Sequence, residues 1–196
     1  MKATSRIGAL CLTLVLFLSG CGYNQLQVQD EQVTAAWSEV VNQYQRRADL
    51  IDNLVTVTKE YADREAEVFT EVAAARASVG SLQVTPEVLN DPEALAKFQA
   101  AQSQMGSALS RLLAVSEAYP DLKASTLFQD LNASIEGTEN RIAVARKRYI
   151  ESVQAFNGTV RRFPSNLTAK VVGMDRKANF SVDNETQISQ APDVAF

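Results

Sequence analysis

The sequence predicts an all-α fold: an antiparallel bundle of three long helices, with one or two short helices and coiled-coil-like packing. Residues that form turns are scarce, since the 196 residues include only 8 glycines and 5 prolines. A proline in a helix interior costs about 3 kcal/mol, so long helices fit the proline-free stretches 25–85, 93–119 and 121–163. Apolar residues recur at helical spacing in all three, and no useful length alternates as a strand would.

The first long helix is predicted over about 30–79, with Gly80 at its end. Alternating steps of four and three residues give fourteen positions, and eleven of them are apolar. These positions are Val33, Trp37, Val40, Tyr44, Arg47, Ile51, Leu54, Thr58, Tyr61, Glu65, Val68, Val72, Ala75 and Val79. Such a heptad seam is typical of packed helices, and at 1.5 Å per residue this helix would be about 75 Å long.

Prolines mark where the later helices begin. Thr85-Pro86-Glu87 and Asp91-Pro92-Glu93 each place a capping side chain before a proline, which favours a helix start. The first is expected to start a single turn, and the second a long helix that ends near Tyr119. A third long helix is expected over 128–163, followed by a short one over 166–172.

The chain begins with what looks like a bacterial signal peptide over residues 1–20. Lys2 and Arg6 give it a basic start, and an apolar run over 7–18 follows. This run suits a signal peptide and is shorter than the roughly 20 residues that a membrane-spanning helix needs. We therefore expect the segment to be removed from the mature protein.

The end of this segment resembles a lipobox, the lipoprotein cleavage motif. The small residues Ser19 and Gly20 precede Cys21, so cleavage between Gly20 and Cys21 makes that cysteine the first mature residue. We expect its thiol to carry a diacylglycerol and its amine a fatty acid such as palmitate, because two or three acyl chains hold a protein firmly. In a bacterium with two membranes, Gly22 in place of aspartate favours the periplasmic side of the outer membrane over the inner membrane. A chance match behind a plain signal peptide or signal anchor is the alternative.

Little reactive chemistry remains after that cleavage. The chain has no histidine, which excludes Ser-His-Asp and Cys-His triads and histidine-bound zinc. Cys11 leaves with the signal peptide. Without Lys2 and Arg6, 17 basic residues face 23 acidic ones, and the net charge is −6. Nucleic-acid binding is therefore not expected, and the lipid rather than a basic patch has to supply membrane affinity. No cofactor motif occurs.

Several motifs in the predicted helices carry a resemblance to a known family. They are YN at 23–24, AWSEV at 36–40, QRRADLIDNLV at 45–55, YPDLKA at 119–124, EGTENRIAVAR at 136–146 and RFPSN at 162–166. In this order they resemble the LemA family over residues 23–196. The resemblance implies a membrane-attached helical bundle with no known catalytic residue. The chain departs from the family at Asp52, where most members have proline, so a straighter first helix is expected.

Four segments follow from these observations. They are a signal peptide at 1–20, a lipidated tether at 21–29, a LemA-like helical bundle at 30–172, and an extended or partly disordered tail at 173–196.

A polar group is predicted between the first and third helices. Arg47 lies on the apolar seam, and Asp49, Glu139 and Arg141 are the other candidates. An ion pair that fixes the register of the helices is one interpretation, and a site that recognises a ligand or partner is the other. Four aromatic residues at core spacing are expected inside: Trp37, Tyr44, Tyr61 and Tyr149.

The sequence thus favours a non-enzymatic envelope lipoprotein that serves as a scaffold or adaptor for another envelope protein, whose identity the sequence leaves open. One alternative is a module that binds a ligand in the polar seam. The other is a hydrolase that uses two carboxylates roughly 5 to 10 Å apart.

Overall fold

The computed structural model describes residues 2–82 and 85–180, with side chains from residue 22 onward. The side chains of the predicted signal peptide and of Cys21 lie outside this description, as do residues 181–196 of the predicted tail. Six α-helices and one 3-10 turn make up the described part, which has no strands, so the all-α prediction is confirmed. They are α1 (Lys2–Tyr61), α2 (Ala66–Gly80), the 3-10 turn (Pro86–Asn90), α3 (Pro92–Val115), α4 (Pro120–Ala124), α5 (Thr126–Arg161) and α6 (Ser165–Val172).

None of the described helices combines the length and the apolar composition that crossing a membrane requires.

The long helices α1 and α5 form the central antiparallel pair. Trp37 contacts Tyr149 and Arg47 contacts Glu139, so residue numbers rise along one helix as they fall along the other. All eight seam positions from Val33 to Thr58 are buried, which confirms the predicted heptad over this part of α1. Helix α3 lies on the same pair and runs parallel to α1.

The predicted first helix is wrong beyond Tyr61, because the chain reverses direction at 62–65. Helix α2 then lies antiparallel to α1. Arg76 pairs with Asp52 at 2.6 Å, and the Lys59 ammonium lies 5.2 Å from the centre of the Phe69 ring. The predicted single helix over 30–79 is therefore two antiparallel helices, and α1, α2, α3 and α5 pack together at this end.

No glycine or proline lies at the turn, so a local helix-breaking residue does not cause the reversal. Burial of apolar side chains explains it instead. The seam is weak there: Thr58 and Glu65 are polar, and Tyr61 is exposed rather than in the core as expected. Folding back places Val72 and Ala75 in a core with α3. Because tertiary burial contributes more to helix stability than local propensity does, this outweighs the few helical hydrogen bonds lost at the turn.

The last described residues, 174–180, form an extended strap across the other end of the bundle. The Ala178 N–H donates to the Leu89 carbonyl at 2.7 Å, and the Tyr149 hydroxyl donates to the Ala178 carbonyl at 2.6 Å. Burial raises the pKa of the Tyr149 phenol, which stays protonated and keeps donating. Phe180 then packs on Tyr149, with ring centres 5.1 Å apart.

Candidate functional site

A cleft of about 1180 Å³ separates α3 from α5, and α1 forms its floor. It follows α5 from Ile135 to Ile150, about 22 Å at the rise of an α-helix. The α3 wall combines small or polar residues with two leucines: Gln99, Gln102, Ser103, Gly106, Ser107, Leu109, Ser110 and Leu113. The α5 wall carries charges of both signs: Glu136, Glu139, Arg146 and Lys147. Isoleucines also line the α5 wall, at Ile135, Ile142 and Ile150.

Arg47 lies at the bottom of this cleft, with a side chain only 5% exposed. Its Nη1 donates to Glu139 Oε1 at 3.0 Å, and its Nη2 donates to the Gln102 carbonyl at 3.1 Å and to Gln102 Oε1 at 2.6 Å. The guanidinium carbon is also 4.9 Å from the centre of the Tyr44 ring. One arginine thereby connects α1, α3 and α5, with its buried charge compensated by a carboxylate and two oxygen acceptors.

The structure brings together only part of the predicted polar group. Arg47 and Glu139 meet, as one interpretation of the seam required. Asp49 points away and accepts a hydrogen bond from Gln45 at 2.9 Å on the exposed face of α1. Arg141 is exposed and lines a smaller pocket on another face of α5, between α1 and α5.

Gln102 belongs to this site, although the sequence reasoning did not single it out. It is 6% exposed and occupies a core position of α3. The signal was the spacing: Phe98 and Met105 are buried, and position 102 falls between them in the same alternation of four and three residues. A glutamine at such a position needs a polar partner, and Arg47 supplies it.

The arrangement fixes the register of three helices and leaves one carboxylate facing solvent. Glu139 is 44% exposed, so it can accept a further hydrogen bond from a molecule in the cleft. Arg146 lines the same cleft, and its guanidinium carbon lies 4.4 Å from the centre of the Phe180 ring in the strap. Within the described residues, no three carboxylate or cysteine side chains gather in a way that could hold a metal ion.

Two substitutions test whether Arg47 acts through its charge or through its volume. Arg47→Ala is expected to lower the free energy of unfolding by about 3 kcal/mol, because it opens a cavity and leaves the Gln102 amide buried without its donor. Arg47→Met combined with Gln102→Leu fills the space with apolar groups and is expected to stay within about 1 kcal/mol of the wild type. Urea denaturation followed by circular dichroism measures both. Equal losses in the two variants would contradict this account.

Comparison with known proteins gives a family match over the region that contains the cleft. The sequence profile of the LemA family matches residues 36–196, which include the cleft floor and both of its walls. The chain belongs to the LemA family. The resemblance expected from the motifs is therefore confirmed.

Among individual proteins, this LemA-family chain is similar to magnetosome proteins. It is 27% identical to "Magnetosome protein MamQ" of Magnetospirillum gryphiswaldense over 187 residues, which cover 86% of the chain and 69% of that relative. It is also 27% identical to "Magnetosome protein MamQ 2" of Paramagnetospirillum magneticum over 174 residues, covering 81% of the chain and 64% of that relative. The chain thus spans about two thirds of the length of these relatives. Their names give a cellular structure rather than a reaction.

Proposed function

We propose that this LemA-family protein is a lipid-anchored envelope lipoprotein, a non-enzymatic adaptor that holds a helical segment of another envelope protein in the cleft between α3 and α5. The anchor is Cys21, acylated after removal of residues 1–20. The cleft is the single observation on which the adaptor role rests.

The shape and lining of the cleft suit a helix. Its length of about 22 Å corresponds to about four helical turns, and serines and a glycine on α3 let a partner backbone approach closely. Hydroxyls, amides and charges of both signs lie among leucines and isoleucines on the two walls, and this mixture favours an amphipathic helix that presents both apolar and polar side chains to the cleft. An open cleft of this kind is suited to binding a partner. It does not exclude water as the active site of an enzyme often does.

Binding of a small anionic ligand by Arg47 is less consistent with the geometry. Both η nitrogens of the guanidinium already donate to Glu139 or Gln102. A ligand would have to displace these bonds within a buried site, and that loses charge-assisted hydrogen bonds on both sides. The role of Arg47 is therefore to fix the register of α1, α3 and α5. The solvent-facing part of the cleft is left free to bind the partner.

Photo-crosslinking in intact cells tests the adaptor role. A photoreactive amino acid at Ser107, on the cleft wall, is expected to trap one reproducible envelope protein. The matched control is Ser38: both serines are exposed, lie within a helix and donate to the carbonyl four residues earlier. A crosslink at both positions, or no protein adduct at Ser107, would contradict a partner seated in the cleft.

A further inference from the structure

Exposed apolar side chains concentrate at the end of the bundle where the described side chains begin. Phe163 is 79% exposed, Leu167 55% and Val171 87%, each four residues after the last. Leu167 and Val171 share one face of α6, whereas Ala169, on its other face, is 1% exposed. Tyr23 and Val28 on α1 add exposed apolar surface at the same end. We call Phe163, Leu167 and Val171 the apolar ridge.

Basic residues flank the apolar ridge. Arg161, Arg162 and Lys170 are exposed, and Lys170 is three residues from Leu167 and so beside it on the helix surface. The sequence has no acidic residue over 152–174, in a chain whose net charge is −4. This end is therefore locally basic, although the chain as a whole is acidic. Apolar side chains beside a cationic border are the composition of helices that lie in a membrane interface.

Helix α6 lies directly beside α1 at Gly22, where the described side chains begin. A side-chain carbon on Gly22 would be 3.4 Å from the Ser165 hydroxyl oxygen and 3.6 Å from that of Thr168. Gly22 follows Cys21, so the apolar ridge is at the level of the proposed lipid anchor. A chain held at Cys21 thus brings this end of the bundle, and not the end at 62–65, to the bilayer surface.

We propose that the apolar ridge inserts into the interface of an anionic bilayer, with Arg161, Arg162 and Lys170 against the lipid phosphates. This second membrane contact rests on the proposed anchoring at Cys21. It extends that proposal because it fixes the orientation of the bundle on the membrane. One anchor point alone leaves the bundle free to tilt. Insertion of α6 beside it holds the cleft at a set height and direction above the membrane.

An environment-sensitive dye on an introduced cysteine tests the contact. The full chain, with Cys11→Ser, is expressed, purified with its anchor and reconstituted into phosphatidylcholine vesicles with or without phosphatidylglycerol. Leu167→Cys carries the dye in one sample, and Leu127→Cys in the matched control, since both leucines are 55% exposed and Leu127 begins α5 at the opposite end. Nitroxide-bearing lipids are expected to quench position 167 several-fold more than position 127, most strongly with phosphatidylglycerol.

A further variant and an independent readout separate the possible outcomes. Arg161→Gln with Arg162→Gln and Lys170→Gln is expected to remove the extra quenching that phosphatidylglycerol gives. Equal quenching at positions 167 and 127 in either vesicle overturns the membrane contact. A dye at position 167 that is shielded from water but is not quenched by lipid nitroxides also overturns the membrane contact. In that case a second copy of the chain or a protein partner covers the apolar ridge. Intact mass reports acylation of Cys21 separately. An unacylated chain that carries Cys21→Ser, so that the dye attaches only to the introduced cysteine, is added to the same vesicles and read by the same comparison.

Discussion

Replacing Trp37 with alanine is expected to lower the free energy of unfolding by about 4 kcal/mol, the largest effect of any single core substitution in this bundle. The indole is 2% exposed and has three aromatic neighbours on different elements. The ring centres of Phe98, Tyr149 and Phe180 lie 5.2, 5.5 and 6.1 Å away. Truncation therefore leaves a cavity where α1, α3, α5 and the strap meet. Urea denaturation followed by circular dichroism measures the loss.

A conservative replacement separates packing from hydrogen bonding at this position. The Trp37 Nε1 has no hydrogen-bond acceptor among the described residues, so Trp37→Phe removes ring volume without breaking a bond. We expect it to cost about 1–2 kcal/mol. Leu127→Ala, at a side chain that is 55% exposed, serves as the surface control and should change stability by less than about 1 kcal/mol. A Trp37→Ala loss no larger than this control would contradict the packing described.

Replacing Cys21 with serine is expected to move the protein from the membrane fraction to the soluble fraction and to abolish incorporation of labelled palmitate. The physical reason is the large free energy of inserting acyl chains into the bilayer. Each buried methylene contributes about 0.8 kcal/mol, so two or three acyl chains dominate membrane affinity. Cell fractionation with metabolic labelling reads both effects. In the variant, the apolar ridge alone should give at most weak, salt-sensitive association.

The other cysteine of the chain provides the matched control. Cys11 lies within the predicted signal peptide, so Cys11→Ser should leave both the label and the membrane fraction unchanged. Full membrane association of the Cys21→Ser variant, or loss of label in the Cys11→Ser variant, would refute acylation at Cys21.

Local signals in the sequence predicted much of the fold. Asp91 caps α3 as expected, since its side chain accepts from the backbone N–H groups of Glu93 and Ala94 at 2.9 and 3.2 Å. The seam of α1 and the proline that begins α3 follow from the same short-range chemistry. These features are predictable because each depends on residues within one or two turns.

The features that sequence reasoning missed depend on distant partners. The apolar period weakens at the turn but resumes at Val72 and Ala75 in the same register, so periodicity alone could not reveal the reversal. Helix α1 packs mainly on α5, whereas α2 packs on α3. The partner of Arg47 on α3 is 55 residues away. The strap has no periodic pattern, and its position is set by hydrogen bonds to residues distant in sequence, among them Leu89 and Tyr149.

The order in which a ribosome makes the chain gives the surroundings of Trp37 one more consequence. Its three ring partners emerge about 60, 110 and 140 residues after it, and contacts so distant in sequence form late in folding. This core cannot close until nearly all of the described chain has been synthesised. The core around Trp37 therefore stays open for most of translation, whereas the second core cluster, which contains Val72 and Ala75 and ends at Ile135, can close earlier.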